Sequence, residues 1–144
     1  MSALFPREEF ARRLRLARAE MAAAGVELLL VDHAEFLAWV TGYTVSETMY
    51  RAAFVPLEGE PWFVLRALDA GPCRAACCFP DIVGYRDCDD PHAVMAQEIS
   101  RRGFATARIG VDQASYGFTV ATHERFAKLS PQTRFVDMAH LSDH

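Results

Sequence analysis

Apolar side chains recur at three- to four-residue steps near the start of the chain, at Phe10, Leu14, Ala17 and Met21, with charged residues between them. That spacing predicts an amphipathic helix over residues 6–24, opened by Pro6 in its first turn and stopped at Gly25. The pattern then changes to VELLLV at 26–31, an apolar run too short for a second helix and suited to a central strand buried on both faces. Asp32 offers a cap for a short helix over 33–40, where Phe36, Leu37, Trp39 and Val40 supply apolar contacts before Thr41-Gly42-Tyr43 breaks the pattern. Residues 44–50 are polar and read as a loop.

Two strands follow at 51–56 and 62–65, and the five-residue connection between them contains Gly59, which suits an antiparallel hairpin. A helix is expected over 68–79 despite Gly71 and Pro72, then a strand at 82–85. Asp90 as cap and Pro91 in the first turn predict a further helix that turns Val94, Met95 and Ile99 inward and ends at Gly103. A strand at 108–111, a helix over 119–129 and a strand at 134–138 complete the order. In the last helix Val120, His123 or Glu124, Phe126 and Ala127 are available to define its faces. Helices alternating with strands around one hairpin imply a three-layer α/β/α domain whose sheet of five to six strands is mixed but mostly parallel.

Composition narrows the class without changing the fold. The 144 residues suit one domain, and 51% apolar with 24% charged residues is ordinary for a globular chain. The net charge of −4 argues against a nucleic-acid partner. The arginines of the first helix (Arg7, Arg12, Arg13, Arg15, Arg18) are interleaved with Glu8, Glu9 and Glu20, as on a solvated face. No apolar run approaches the roughly 18 to 20 residues that span a bilayer, and the N-terminus carries acidic residues where a leader would be apolar, so a cytoplasmic location and no membrane partner are expected.

Candidate chemistry is sparse. Cys73, Cys77, Cys78 and Cys88 lack the paired spacing of a zinc site and read as reduced, mostly buried thiols. Cys77 and Cys88 have no basic partner identifiable by spacing, which argues against a cysteine nucleophile. Asp87, Asp89 and Asp90 lie together but in turn and cap positions. His33, His92, His123, His140 and His144 show no ligand spacing, and no GxSxG, GxGxxG or phosphate loop occurs.

The order of RLARAEMAAAGVELLLV (15–31), AEFLAWVTGY (34–43), YRAAFVPLEGEPWFVL (50–65), IGVD (109–112) and FVDMAHL (135–141) resembles the creatinase/prolidase N-terminal domain. Leu37, Thr41, Gly42 and Tyr43 are similar to that family's "YLTGF" element, and the likeness covers nearly the whole chain. The resemblance implies a ribonuclease H-like fold and a single non-catalytic domain over 1–144, ahead of a "pita-bread" catalytic domain absent from this sequence. It implies a parent hydrolase of the Xaa-Pro dipeptidase, prolidase, aminopeptidase P or amidinohydrolase kind. No cofactor is expected in this chain; in a peptidase-type parent, two divalent ions such as manganese, cobalt or zinc would be held by Asp, Asp, His, Glu and Glu of the other domain. The implied partners are that catalytic domain, a second copy in a homodimer, and a small peptide or small C–N substrate. In creatinase-like members an arginine at the start of the second strand binds a substrate carboxylate, and Arg51 falls at the matching place, with Met49, Tyr50, Tyr43 and Trp39 as neighbouring wall residues. The competing expectation is a free-standing binding or interaction module with the same fold.

Overall fold

The computed structural model describes residues 7–32, 51–67, 81–86, 88–111, 120–129 and 132–138. The expected helix over 33–40, the polar loop and the helix over 68–79 lie outside them.

The first helix, α1 (Arg7–Ala24), ends on Gly25 at φ +70°, a left-handed position that glycine adopts at no steric cost. Ala17 and Met21 are fully buried, and Leu14 packs at the margin of the same cluster. The charged face departs from the expectation of solvated arginines. Arg12 is exposed and bonds Glu9, but Arg13 is 8% exposed, and Arg18 donates to the Pro56 carbonyl at 3.0 Å and to that of Gly59. Their long stems lie along apolar surface while the guanidinium groups reach polar partners. Arg18 thus ties α1 to the hairpin 38 and 41 residues further on.

β1 (Leu28–Val31) is short and buried at every position, so four aliphatic side chains leave water, each stabilising by about 1.5–3 kcal/mol. β2 (Ala52–Pro56) and β3 (Trp62–Arg66) form the expected antiparallel hairpin, with Phe54 opposite Trp62 and their rings stacked at 5.1 Å. β4 (Asp81–Tyr85), β5 (Arg108–Val111) and β6 (Arg134–Asp137) complete one six-stranded sheet in the order β4-β3-β2-β1-β5-β6. β2 alone runs against the others, because it pairs antiparallel with both β1 and β3 while the remaining pairings are parallel.

Side-chain alternation sends the two faces of the sheet to different layers. Leu29, Val31, Ala53, Val55, Phe63 and Leu65 meet α1. Leu28, Leu30, Phe54, Trp62, Val64, Ile109 and Val111 meet α2 (Pro91–Arg101) and α3 (Val120–Leu129) through Met95, Ile99 and Phe126. The architecture is therefore the three-layer α/β/α arrangement with a mixed, mostly parallel sheet.

α2 begins as the sequence dictates, with Asp90 Oδ1 accepting the His92 amide at 3.0 Å and Pro91 following the cap. Gly103 at φ +90° lets the chain leave the helix. Met95 and Ile99 are buried, Val94 partly so, and Ala96 is buried with them. In α3 Phe126 is buried, but Ala127 and Glu124 are exposed and Thr122 takes the second inward position. Four residues separate Thr122 from Phe126, which places both on one face; Ala127 is a quarter-turn away and too small to widen it.

Candidate functional site

The sheet topology gathers strand ends of one kind along one edge. Five strands run parallel, so their carboxyl ends point the same way, and β2 runs opposite, so its beginning lies there too. Open α/β sheets bind ligands outside the carboxyl ends of their strands. Arg51, immediately before β2, and Asp32, immediately after β1, both stand on this edge, Asp32 one residue and Arg51 two residues beyond the register pair Val31–Ala53.

The two residues meet. Arg51 Nη1 donates to the main-chain carbonyl of Asp32 at 3.0 Å, and Arg51 is 5% exposed while Asp32 is 2% exposed. Arg51 is thus buried rather than solvated at the mouth of a strand. Its guanidinium is a planar fork of N–H donors matched to a carboxylate, and in a site withdrawn from water each charge-assisted bond is stronger than in bulk solvent. The other sequence candidates, Trp39, Tyr43, Met49 and Tyr50, lie outside the described residues. The contact with Asp32 is not legible in the local sequence. Its signal is the polar residue closing an otherwise apolar run, but the 18 residues between Asp32 and Arg51 hide their meeting from local patterning.

The remaining polar clusters serve the fold. Asp89 accepts the Arg86 amide at 2.9 Å and its guanidinium as well, and those bonds hold its carboxyl below the usual range. Asp90 caps α2 and pairs with Arg125 of α3. These contacts agree with the turn and cap reading for both; Asp87 lies outside the described residues. Glu98 is held low by Arg101 and Arg102, against the opposing effect of its partial burial. His92 packs edge-on against Phe126 at 5.3 Å between ring centres, and burial pushes its pKa down. Cys88, in the turn after β4, is a free thiol as expected and is exposed; Cys73, Cys77 and Cys78 lie outside the described residues. A groove of about 660 Å³ lies at the opposite, amino edge, lined by Ala96, Gln97, Ser100, Arg101, Leu129 and Gln132 among others, with no histidine or acid among the described residues of its wall. Among the described residues no three His, Cys, Asp or Glu side chains converge as metal ligands, so no step through a metal ion is derived for this chain.

The family model described as Creatinase/Prolidase N-terminal domain matches residues 13–144. Ectoine hydrolase of Halomonas elongata is 32% identical over 143 residues, covering 92% of this chain and 36% of that protein. A Sinorhizobium fredii protein named uncharacterized hydrolase/peptidase y4tL is 31% identical, covering 95% of this chain and 37% of its own length. Among solved structures, the N-terminal domain of Xaa-Pro dipeptidase from Lactobacillus brevis superimposes with a TM-score of 0.80 at 18% identity, over 92% of this chain and 98% of that one. The chain therefore spans little more than a third of the curated relatives it matches.

Proposed function

Because the chain belongs to the creatinase/prolidase N-terminal domain family, we propose that it is the non-catalytic, substrate-selecting domain of a metal-dependent hydrolase. The observation that carries this is coverage. The match takes in nearly all of this chain but only 36% of ectoine hydrolase, which leaves most of such a protein, and its chemistry, to a further domain.

In this reading two divalent ions belong to the catalytic half of the parent, and the chain contributes to a homodimer in the cytoplasm. The parent's substrate is a small carboxylate with a hydrolysable C–N bond. A cyclic amidine of the ectoine kind is supported by the identity of 32% to ectoine hydrolase, against 24% to a putative dipeptidase of Bacillus subtilis. Arg51 binds the substrate carboxylate by a guanidinium fork, and Trp39, Tyr43, Met49 and Tyr50 form the apolar wall beside it.

Two measurements test the proposal. The purified chain, given manganese and either ectoine or glycyl-L-proline, should hydrolyse neither, and metal-dependent turnover by the chain alone would overturn its non-catalytic role. In a protein carrying both domains, Arg51→Gln should raise KM for the carboxylate-bearing substrate about tenfold or more with the fold intact. An unchanged KM would remove the substrate-selecting role and favour a binding module of other purpose.

A further inference from the structure

We infer that Asp32 is the positioning residue for Arg51: its main-chain carbonyl, fixed at the carboxyl end of β1, sets the direction in which the guanidinium meets a carboxylate. The inference rests on the reading of Arg51 as a substrate contact and adds a residue to it.

The geometry is specific. β1 lies inside the sheet, bonded to β2 as far as Val31 and to β5 at Leu28 and Leu29, so the strand that delivers the Asp32 carbonyl is anchored on both sides. Register puts Asp32 opposite Ala52, and the Arg51 side chain crosses from the start of β2 to the first carbonyl beyond the neighbouring strand, at 3.0 Å and out of solvent. An arginine side chain carries about 2 kcal/mol of rotamer entropy, which a free side chain gives up on binding and a held one has already given up on folding. The acceptor in this bond is a neutral carbonyl, so the bond acts on the direction of the guanidinium rather than on its charge. A main-chain acceptor also makes a distinctive demand on position 32: what matters is the backbone path there, and only secondarily the side chain that sets it.

The test uses the isotope-labelled chain and N-acetyl-L-proline, a carboxylate without a free amine, followed by NMR at the Arg51 Nε–Hε signal. Asp32→Asn, which preserves side-chain size and backbone preference, should bind the probe within about twofold of the parent chain. Asp32→Gly, which frees the backbone, should weaken binding about fivefold or more and speed exchange of the Arg51 guanidinium protons, with native dispersion elsewhere. Unchanged affinity and exchange in Asp32→Gly would overturn the positioning role. Should that variant not fold, Arg51 guanidinium protons that exchange in the parent chain as fast as those of free arginine overturn it equally. Arg51→Gln separates the two ideas, since undiminished probe binding there sinks the substrate contact itself rather than its positioning.

Discussion

The Arg102 guanidinium lies over the Trp62 indole, 4.3 Å from the ring centroid, and in the same pose its Nη1 reaches Asp81 at 2.7 Å and its Nε reaches Glu98 at 3.0 Å. Trp62 and Asp81 are register partners on β3 and β4, so one side chain at the end of α2 clamps that helix to two strands. Arg102→Ala should therefore destabilise the domain by about 1–2 kcal/mol, combining the lost cation–π contact with partly buried charge-assisted bonds. Arg102→Lys should recover only part of this, because an ammonium cannot lie flat on the indole and hold both acids. Denaturant unfolding measures both, and a loss in Arg102→Ala indistinguishable from zero would show the clamp to be ornamental.

Gly110 is needed for a different reason. A Cβ there would stand 2.7 Å from Met138 Cγ and 3.2 Å from Leu29 Cδ1 and Val26 Cγ1, all on buried residues. Gly110→Ala should cost about 1–3 kcal/mol through overpacking. Shortening the nearest neighbour in the double variant Gly110→Ala/Met138→Ala should make the two effects less than additive, as thermal unfolding of the four-member cycle would report. Strict additivity would mean that the clash is relieved elsewhere.

Asp90 holds two elements at once, as the cap of α2 and the partner of Arg125 on α3. Asp90→Ala should lower stability by about 1–2 kcal/mol, and Asp90→Asn, which keeps the capping oxygen but loses the charge, by less. Equal losses in the two variants would assign the effect to the charge pair rather than the cap.

Two of the groups that make stability depend on pH, His92 and Glu9, act in separate windows. Burial lowers the pKa of His92 in the folded chain below its ordinary 6.5, so the unfolded chain binds a proton there more readily. Its contribution to stability is full above 6.5 and is lost as pH falls below that value through the folded pKa; His92→Gln should flatten that limb of the stability–pH curve. Glu9 is held at about 2 by its bonds to Arg12 and Arg13. Its contribution is present above its ordinary 4.5 and disappears only as pH falls to about 2, so Glu9→Gln should alter the curve in that lower window alone. Unfolding curves of the two variants that change in the same window would contradict this separation.

What the sequence determined by itself was local. The period of Leu14, Ala17 and Met21, the unbroken LLLV of β1, the Asp90-Pro91 start of α2 and the stops at Gly25 and Gly103 each depend on a few neighbouring backbone angles and side chains, so they are legible from one short window. The α/β class follows from their order. Only the tertiary structure decided that β1 sits between β2 and β5, that Arg13 and Arg18 turn inward, that Thr122 rather than Ala127 faces the sheet, and that Cys88 stands exposed. It also decided the one feature that matters most for a site, the meeting of Arg51 with the carbonyl of Asp32. The physical reason is common to all of these. Periodicity specifies which face of an element is apolar, whereas strand neighbours and the partner of a long polar side chain are set by register across the sheet, a relation between segments that share no local window.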